Sequence, residues 1–245
     1  MKSIKDVYKI GPGPSSSHSM GPEKAALDFK SKIVKADFIE VTLYGSLAKT
    51  GKGHQTDSTI IKALAPFTVK VIMNLDDSIK LPHENTMDFT AFGDNKQILK
   101  ARYISIGGGD IICEGELKSV EADVYAENTF AEIAEYCKTH NIRISEYVRQ
   151  KEGEGIFAYL NEIWDVMQKS IIEGLSTGGL LPGGLSVHRR AQQLFNQRHM
   201  DESKSTYENR IVCSYAFAVG EQNADNGIIV TAPTCGSCRI KILSR

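Results

Sequence analysis

The spacing of apolar residues changes near residue 126, and that change restricts the chain to a fold with two unlike halves. Before it, short runs alternate β-branched or aromatic residues with polar ones, the period of a half-buried strand. FIEVTLY at 38–44 is the clearest, and further strands are expected at 68–74, 86–92 and 97–106, with 111–113 continuing the last across a turn. Helices are expected at 22–32, where Pro22 opens a run of good helix formers, and after Asp57 or Ser58, either of which can cap DSTIIKALA. Beyond residue 126 the period lengthens, and Phe130, Ile133, Ala134 and Cys137 fall on one helical face. Further helices are expected at 142–148, 155–174, 187–196 and 209–219, with the glycine-broken LLPGGLS at 180–186 between them. The first half therefore reads as α+β and the second as all-α.

Composition narrows the function classes. The 245 residues carry 29 Lys and Arg against 30 Asp and Glu, a formal charge of -1, which argues against a nucleic-acid platform. MKSIKDVYKI is too short and mixed for a secretory signal, and no apolar run approaches the roughly 18–20 residues that span a bilayer. The 5 cysteines are irregularly spaced, so a disulfide framework is not expected and a reducing cytoplasm is the default setting.

Three stretches concentrate chemistry. GPGPSSSHSMGP at 11–22 places serines and a histidine between two Gly-Pro brackets, a run that neither a helix nor a paired strand favours. Ser15, Ser16, Ser17 and His18 can offer hydroxyls and N–H groups to an anion such as a carboxylate, or the run can simply cap the next helix. GKGHQTD at 51–57 flanks Lys52 with glycines that allow a sharp bend and close approach to a ligand. His54, Thr56 and Asp57 add a base or acid, a hydroxyl and a carboxylate; the alternative is a plain connection in which Asp57 caps a helix. The phosphate-loop pattern G-x-x-x-x-G-K-[ST] is not matched.

NADNGIIVTAPTCGSC at 223–238 sets small residues and hydroxyls around a proline and ends in a C-x-x-C formed by Cys235 and Cys238. That pair can be a redox couple, half a metal site or neither, since no second pair stands at zinc-finger spacing and no thioredoxin-like βαβ setting surrounds it. GGGD at 107–110 lacks G-x-G-x-x-G spacing and reads as a turn or bulge. Arg189 and Arg190 suit either a carboxylate clamp or a solvated face. Cys113 and Cys137 read as core thiols, and His83, His140 and His199 stand in polar surroundings with no role expected.

GPGPSSSHSMGPEKA, LYGSLAKTGKGHQTD, SIGGGDII, GGLLPGGLSVHRRA and NADNGIIVTAPTCGSC, taken together and in this order, resemble the iron-sulfur-dependent L-serine dehydratases (L-serine ammonia-lyases) of the single-chain bacterial form. The resemblance covers essentially the whole chain. It implies an α+β N-terminal domain followed by an incomplete all-α catalytic domain, divided here as 1–125, a linker with the first helix at 126–145, and 146–245. It implies conversion of L-serine to pyruvate and ammonia with a four-iron four-sulfur cluster, whose open iron acts as a Lewis acid while a protein base removes the α-proton.

Carried onto this sequence, the resemblance makes His54 the base. Ser15, Ser16, Ser17, His18, Lys52, Thr56, Asp57, Asn223, Thr231 and Thr234 become the substrate-binding set. It places the cluster cysteines well beyond TAPT, past residue 245, so Cys235 and Cys238 are not assigned as ligands. The continuation RIKILSR departs from the glycine and apolar helix of the family, and the chain reads as a truncated or frame-shifted dehydratase that lacks the cluster and is inactive alone. L-serine is the expected partner, with no nucleic acid or membrane, and a homodimer is expected for the intact form. The alternative is a non-catalytic L-serine-binding module.

Overall fold

A computed structural model describes residues 1–94, 96–116, 122–198 and 200–238. His199 and the RIKILSR segment lie outside the described residues.

The alternating segments build one five-stranded sheet. β2 (Phe38–Leu43), β3 (Thr68–Met73), β4 (Thr86–Gly93), β5 (Lys96–Gly107) and β6 (Asp110–Cys113) lie in the order β3-β2-β4-β5-β6. β2 runs parallel to β3 and antiparallel to β4, and the later pairs are antiparallel. Alternation decides which side is covered: Ile39, Val41 and Leu43 point inward from β2, while the residues between them are only half-buried. GGGD is the turn that joins β5 to β6, with Gly107, Gly108 and Gly109 all at positive φ.

Two helices cover that inner face. α1 (Gly21–Ser31) has Pro22 in its first turn and buries Pro22, Ala25, Ala26 and Phe29, the i, i+3, i+4, i+7 stripe of an amphipathic helix. α3 (Thr56–Leu64) buries Thr56, Thr59, Ile60 and Leu64 beside it. Phe29 meets Phe89 at a ring separation of 5.2 Å, and Phe89 meets Tyr103 edge-on at 5.4 Å. Full burial of such side chains contributes about 1.5–3 kcal/mol each, which makes this cluster the main anchor of the sheet.

The second half is dominated by helices: α4 (Phe130–Thr139), α5 (Ile144–Glu152), α6 (Gly155–Ser176), α7 (Ala191–Asn196) and α8 (Lys204–Ala224). α7 begins at Ala191, four residues later than its expected start, because residues 180–188 are held by the bridge between Leu180 and His188. α6 and α8 touch backbone to backbone at Gly174, where a Cβ would stand 2.4 Å from the Ala218 carbonyl oxygen. Arg189 is buried and paired with Asp225, and the Arg190 and Ala191 N–H groups donate to the Glu221 carboxylate, so α7 is fastened to the end of α8.

The halves are joined by a two-stranded sheet that no local pattern announces. β1 (Ile10–Pro12) pairs antiparallel with β7 (Ile228–Val230), Ile10 opposite Val230 and Pro12 opposite Ile228. The fold is therefore α+β, with a strand in its helical second half. No helix among the described residues is long and apolar enough to cross a membrane.

Candidate active site

SSSH is helical after all. Ser16–Met20 form one π-type turn that runs straight into α1, and the Ser16 carbonyl accepts the Gly21 N–H. Ser15 sits extended before it, its hydroxyl accepting the His18 N–H at 3.1 Å. The turn forms because Ser15 caps it and because its exposed groups find partners on other elements. Ser105 Oγ on β5 donates to the Ser17 carbonyl at 2.8 Å, and Thr56 Oγ1 donates to the His18 carbonyl at 2.6 Å. Ser19 Oγ donates to the His54 carbonyl at 3.0 Å.

GSLAKTGKGHQTD is likewise more ordered than its glycines suggest. Gly45–Thr50 form a short helix, α2. Gly45 lies at φ +50, and a Cβ there would come within 2.5 Å of the Glu84 carbonyl oxygen, so glycine is required twice over. The bend into α3 is carried by Gln55, at φ 56, rather than by Gly51 or Gly53, neither of which has a positive φ. Gly51 is needed for packing instead, since its Cβ would stand 2.2 Å from the Leu47 carbonyl oxygen.

These two segments bring His18 and His54 together, ring centroids 4.7 Å apart. His54 Nδ1 lies 3.0 Å from the Thr50 carbonyl. A carbonyl only accepts, so the ring proton of neutral His54 resides on Nδ1 and the Nε2 lone pair is free. His18 is flanked by hydroxyls, Ser17 Oγ at 2.9 Å from Nδ1 and Ser46 Oγ at 3.0 Å from Nε2. Burial, and then the neighbouring His54, push the His18 imidazole below its ordinary value of 6.5, against a raising hydrogen bond with Ser46. These effects favour the neutral form of the His18 ring.

His18 opens onto a cleft of about 740 Å³ that also exposes Ser46, Lys49, Asp76, His83 and Asn85. His54 does not line this cleft and approaches it only beside His18. His83, for which the sequence offered no role, is thus brought to the site by the β3–β4 connection. Asn85 is clamped by its backbone: its N–H donates to His83 Nδ1 at 3.0 Å and its carbonyl accepts the Ser105 N–H at 3.0 Å. Asn85 Oδ1 is shielded from solvent and has no hydrogen-bond partner among the described residues.

The end of α8 is tied to the segments that carry the histidine pair. Gln55 Nε2 donates to the Ala224 carbonyl at 3.2 Å, and Asn226 Nδ2 donates to the Gly13 carbonyl at 2.9 Å and to Thr59 Oγ1 at 2.8 Å. Asn223 is buried, and a Cβ on Gly13 would lie 2.1 Å from its carbonyl oxygen and 2.5 Å from Oδ1. Four other candidates stand apart. Lys52 is exposed, and Asp57 Oδ1 accepts its neighbour's N–H from Ser58 at 2.9 Å. Thr231 Oγ1 accepts the Lys9 N–H at 3.2 Å, and Thr234 is exposed, its hydroxyl 3.3 Å from Ser237 Oγ. Of the whole expected substrate-binding set, His18 alone lines the cleft; Ser15, Ser16, Ser17, Thr56 and Asn223 stand off it as these four do.

The donor set for a metal cluster is not supplied by these residues. Cys235 and Cys238 are buried against Met20, Val219 and Ile229, and the Cys235 thiol is pushed up to about 12, first by burial and then by Cys238. No group of three or more His, Cys, Asp or Glu among the described residues is arranged to hold a metal ion.

An α+β chain that sets a hydroxyl-flanked histidine pair beside an open polar cleft has the layout of a centre for acid–base work on a small polar molecule. Residues 3–76 match the family model of the serine dehydratase beta chain, and residues 77–243 that of the serine dehydratase alpha chain. The chain belongs to the serine dehydratase family. The junction between the two matches falls between β3 and β4, inside one continuous sheet. Among curated relatives, L-serine dehydratase 2 of Escherichia coli (strain K12) is 33% identical over 98% of this chain and 64% of its own length. L-serine dehydratase TdcG of the same organism is 34% identical, and L-serine dehydratase of Haemophilus influenzae 32%, with the same coverage of both chains. The chain thus spans 64% of the length of these relatives.

Proposed function

We propose that the cleft binds L-serine and serves L-serine ammonia-lyase chemistry, the conversion of L-serine to pyruvate and ammonia. The observation that carries this reading is the His18–His54 pair beside the cleft, in a chain whose relatives are named L-serine dehydratases. His54 is the base. Its Nδ1–H is anchored on the Thr50 carbonyl, which leaves Nε2 to take the α-proton of the amino acid. His18, whose neutral form burial favours, does not oppose the charge that His54 gains in that step. Ser15, Ser17 and Ser46 orient the His18 ring through their hydroxyls, while Thr56 and Asn223 hold the loops that carry the pair. The C–O bond breaks as the α-carbanion electrons form the C=C bond, the hydroxide leaves and takes up a proton to become water, and the enamine tautomerises to an imine that water hydrolyses to pyruvate and ammonia.

In this reading residues 1–125 form the α+β unit, 126–145 the link, and 146–245 part of a mainly helical catalytic unit. A four-iron four-sulfur cluster, when bound, supplies a Lewis acid for the leaving hydroxyl. The described residues do not offer its donor set. Cytoplasmic residence and a homodimer for the intact form belong to the same reading.

The donor mismatch favours a second statement, that this chain by itself binds L-serine without turning it over. Calorimetry with L-serine on the metal-free protein tests the first part, and absence of binding overturns it. Anaerobic reconstitution with iron and sulfide, followed by cluster absorbance and pyruvate measurement, tests the second. Pyruvate formation at an enzyme-like rate overturns that one alone.

A further inference from the structure

The geometry points to His83 as a substrate-contacting residue that binds the carboxylate of the amino acid through its Nε2–H. The assignment rests on the reading of the cleft as an L-serine site and says which group holds the ligand's acid end. His83 is exposed on the cleft, on the β3–β4 connection, across from the α2 segment that carries Ser46 and Lys49.

Its tautomer is fixed by the backbone. The Asn85 N–H donates to His83 Nδ1 at 3.0 Å, so Nδ1 is an acceptor and the ring proton of the neutral imidazole sits on Nε2, on the opposite edge of the ring. The short loop that presents this N–H is held at every step. Thr86 Oγ1 donates to the His83 carbonyl at 2.6 Å, the Ser46 N–H donates to the Glu84 carbonyl at 2.9 Å, and the Ser105 N–H donates to the Asn85 carbonyl at 3.0 Å. A donor whose direction is set before the ligand arrives loses little freedom on binding, which is how polar groups in small-molecule sites gain specificity.

The lysine on the cleft is already engaged. Lys49 Nζ lies 2.7 Å from Asp77 Oδ1. A carboxylate entering beside His18 therefore finds Lys49 already paired with Asp77 and the acidic lining residue Asp76 occupied by Ser78, with Glu84 also on the lining, and the Nε2–H of His83 is an uncommitted donor there.

Two substitutions separate this role from a structural one. In His83→Asn the side-chain amide oxygen takes the place of Nδ1 and keeps the Asn85 N–H satisfied, but the cleft-facing donor is gone. In His83→Gln the amide reaches the Nε2 position and can still donate. By calorimetry on the metal-free full chain, His83→Asn is expected to lower L-serine affinity about tenfold, the worth of one hydrogen bond to a charged group. Affinity for L-serinamide, which lacks the carboxylate, is expected to change less than about twofold, and His83→Gln to recover part of the L-serine loss.

Long-range ¹H–¹⁵N correlation on the wild-type protein reads the tautomer without any substitution, and the Nε2–H form is expected. An Nδ1–H tautomer, or a His83→Asn protein that binds L-serine as the wild type does, overturns the assignment and leaves the serine reading standing. A wild-type protein that binds neither L-serine nor L-serinamide overturns the serine reading itself, and the assignment with it.

Discussion

The rings of His18 and His54 lie 4.7 Å apart although the two residues are carried by different segments, a π-type turn and the loop before α3. Their backbones are tied as closely as their rings. Thr56 Oγ1 reaches the His18 carbonyl and Ser19 Oγ reaches the His54 carbonyl, so neither histidine moves without the other.

The protonation of His18 sets a pH dependence. Burial holds its folded-state value below 6.5, so the unfolded chain binds this proton more readily than the folded one. Stability is then unaffected well above 6.5 and declines as pH falls from about 6.5 toward the folded-state value. Urea unfolding at pH 7.5 and at pH 5.5 is expected to show this loss, and a His18→Asn protein a smaller one. An equal loss in both places the cause elsewhere.

Gly21 and Ser105 form a testable contact. A Cβ on Gly21 would stand 2.2 Å from Ser105 Oγ, the atom that donates to the Ser17 carbonyl. Gly21→Ala is expected to cost about 1–3 kcal/mol, the usual range for overpacking. In a Ser105→Gly background the added cost is expected to fall by at least about 1 kcal/mol, because neighbouring changes do not add. A double-mutant cycle by chemical denaturation reads the difference, and strict additivity rules the contact out as the cause.

The glycines of the two motifs are expected to differ sharply in tolerance. Gly13→Ala drives a Cβ against the Asn223 backbone, which cannot step aside, and a loss of about 3 kcal/mol or more is expected together with loss of L-serine binding. Gly53→Ala meets nothing nearer than the Thr50 carbonyl oxygen at 3.4 Å and is expected to stay within about 0.5 kcal/mol of wild type. Urea midpoints and serine calorimetry on the two proteins check both.

Thiol chemistry separates the cysteines. Cys235 is buried, with its thiol pushed up to about 12, whereas Cys213 is exposed. Alkylation at pH 8 followed by peptide mass spectrometry is expected to modify Cys213 first and Cys235 only after denaturation. Rapid native-state labelling of Cys235 would revive the redox reading of C-x-x-C.

What the sequence disclosed follows from how locally each element is determined. β2 and α1 were legible because their burial follows the period of their own residues: Ile39, Val41 and Leu43 in one, Ala25, Ala26 and Phe29 in the other. α2 was hidden because six residues with a glycine at their head do not make a helix by propensity, and the Ser46 N–H to Glu84 carbonyl bond that helps fix it comes from another loop. β1 and β7 are three residues each and pair across more than two hundred positions, so no local pattern announces them. His18 and His54 could be singled out because their motifs are dense in polar groups. His83 could not, since only the folding of LPHEN over α2 brings it to the cleft.

The pairing of β1 with β7 also fixes an order of events during synthesis. Ile10 finds its partner only when Val230 has been made, and Gly13 is seated only when Asn223 lies beneath it. Chains emerge N-terminus first. The segment that leads into the serine-rich turn therefore leaves the ribosome more than two hundred residues ahead of the strand that pairs with it, and until then its backbone groups stand open to chaperones and proteases.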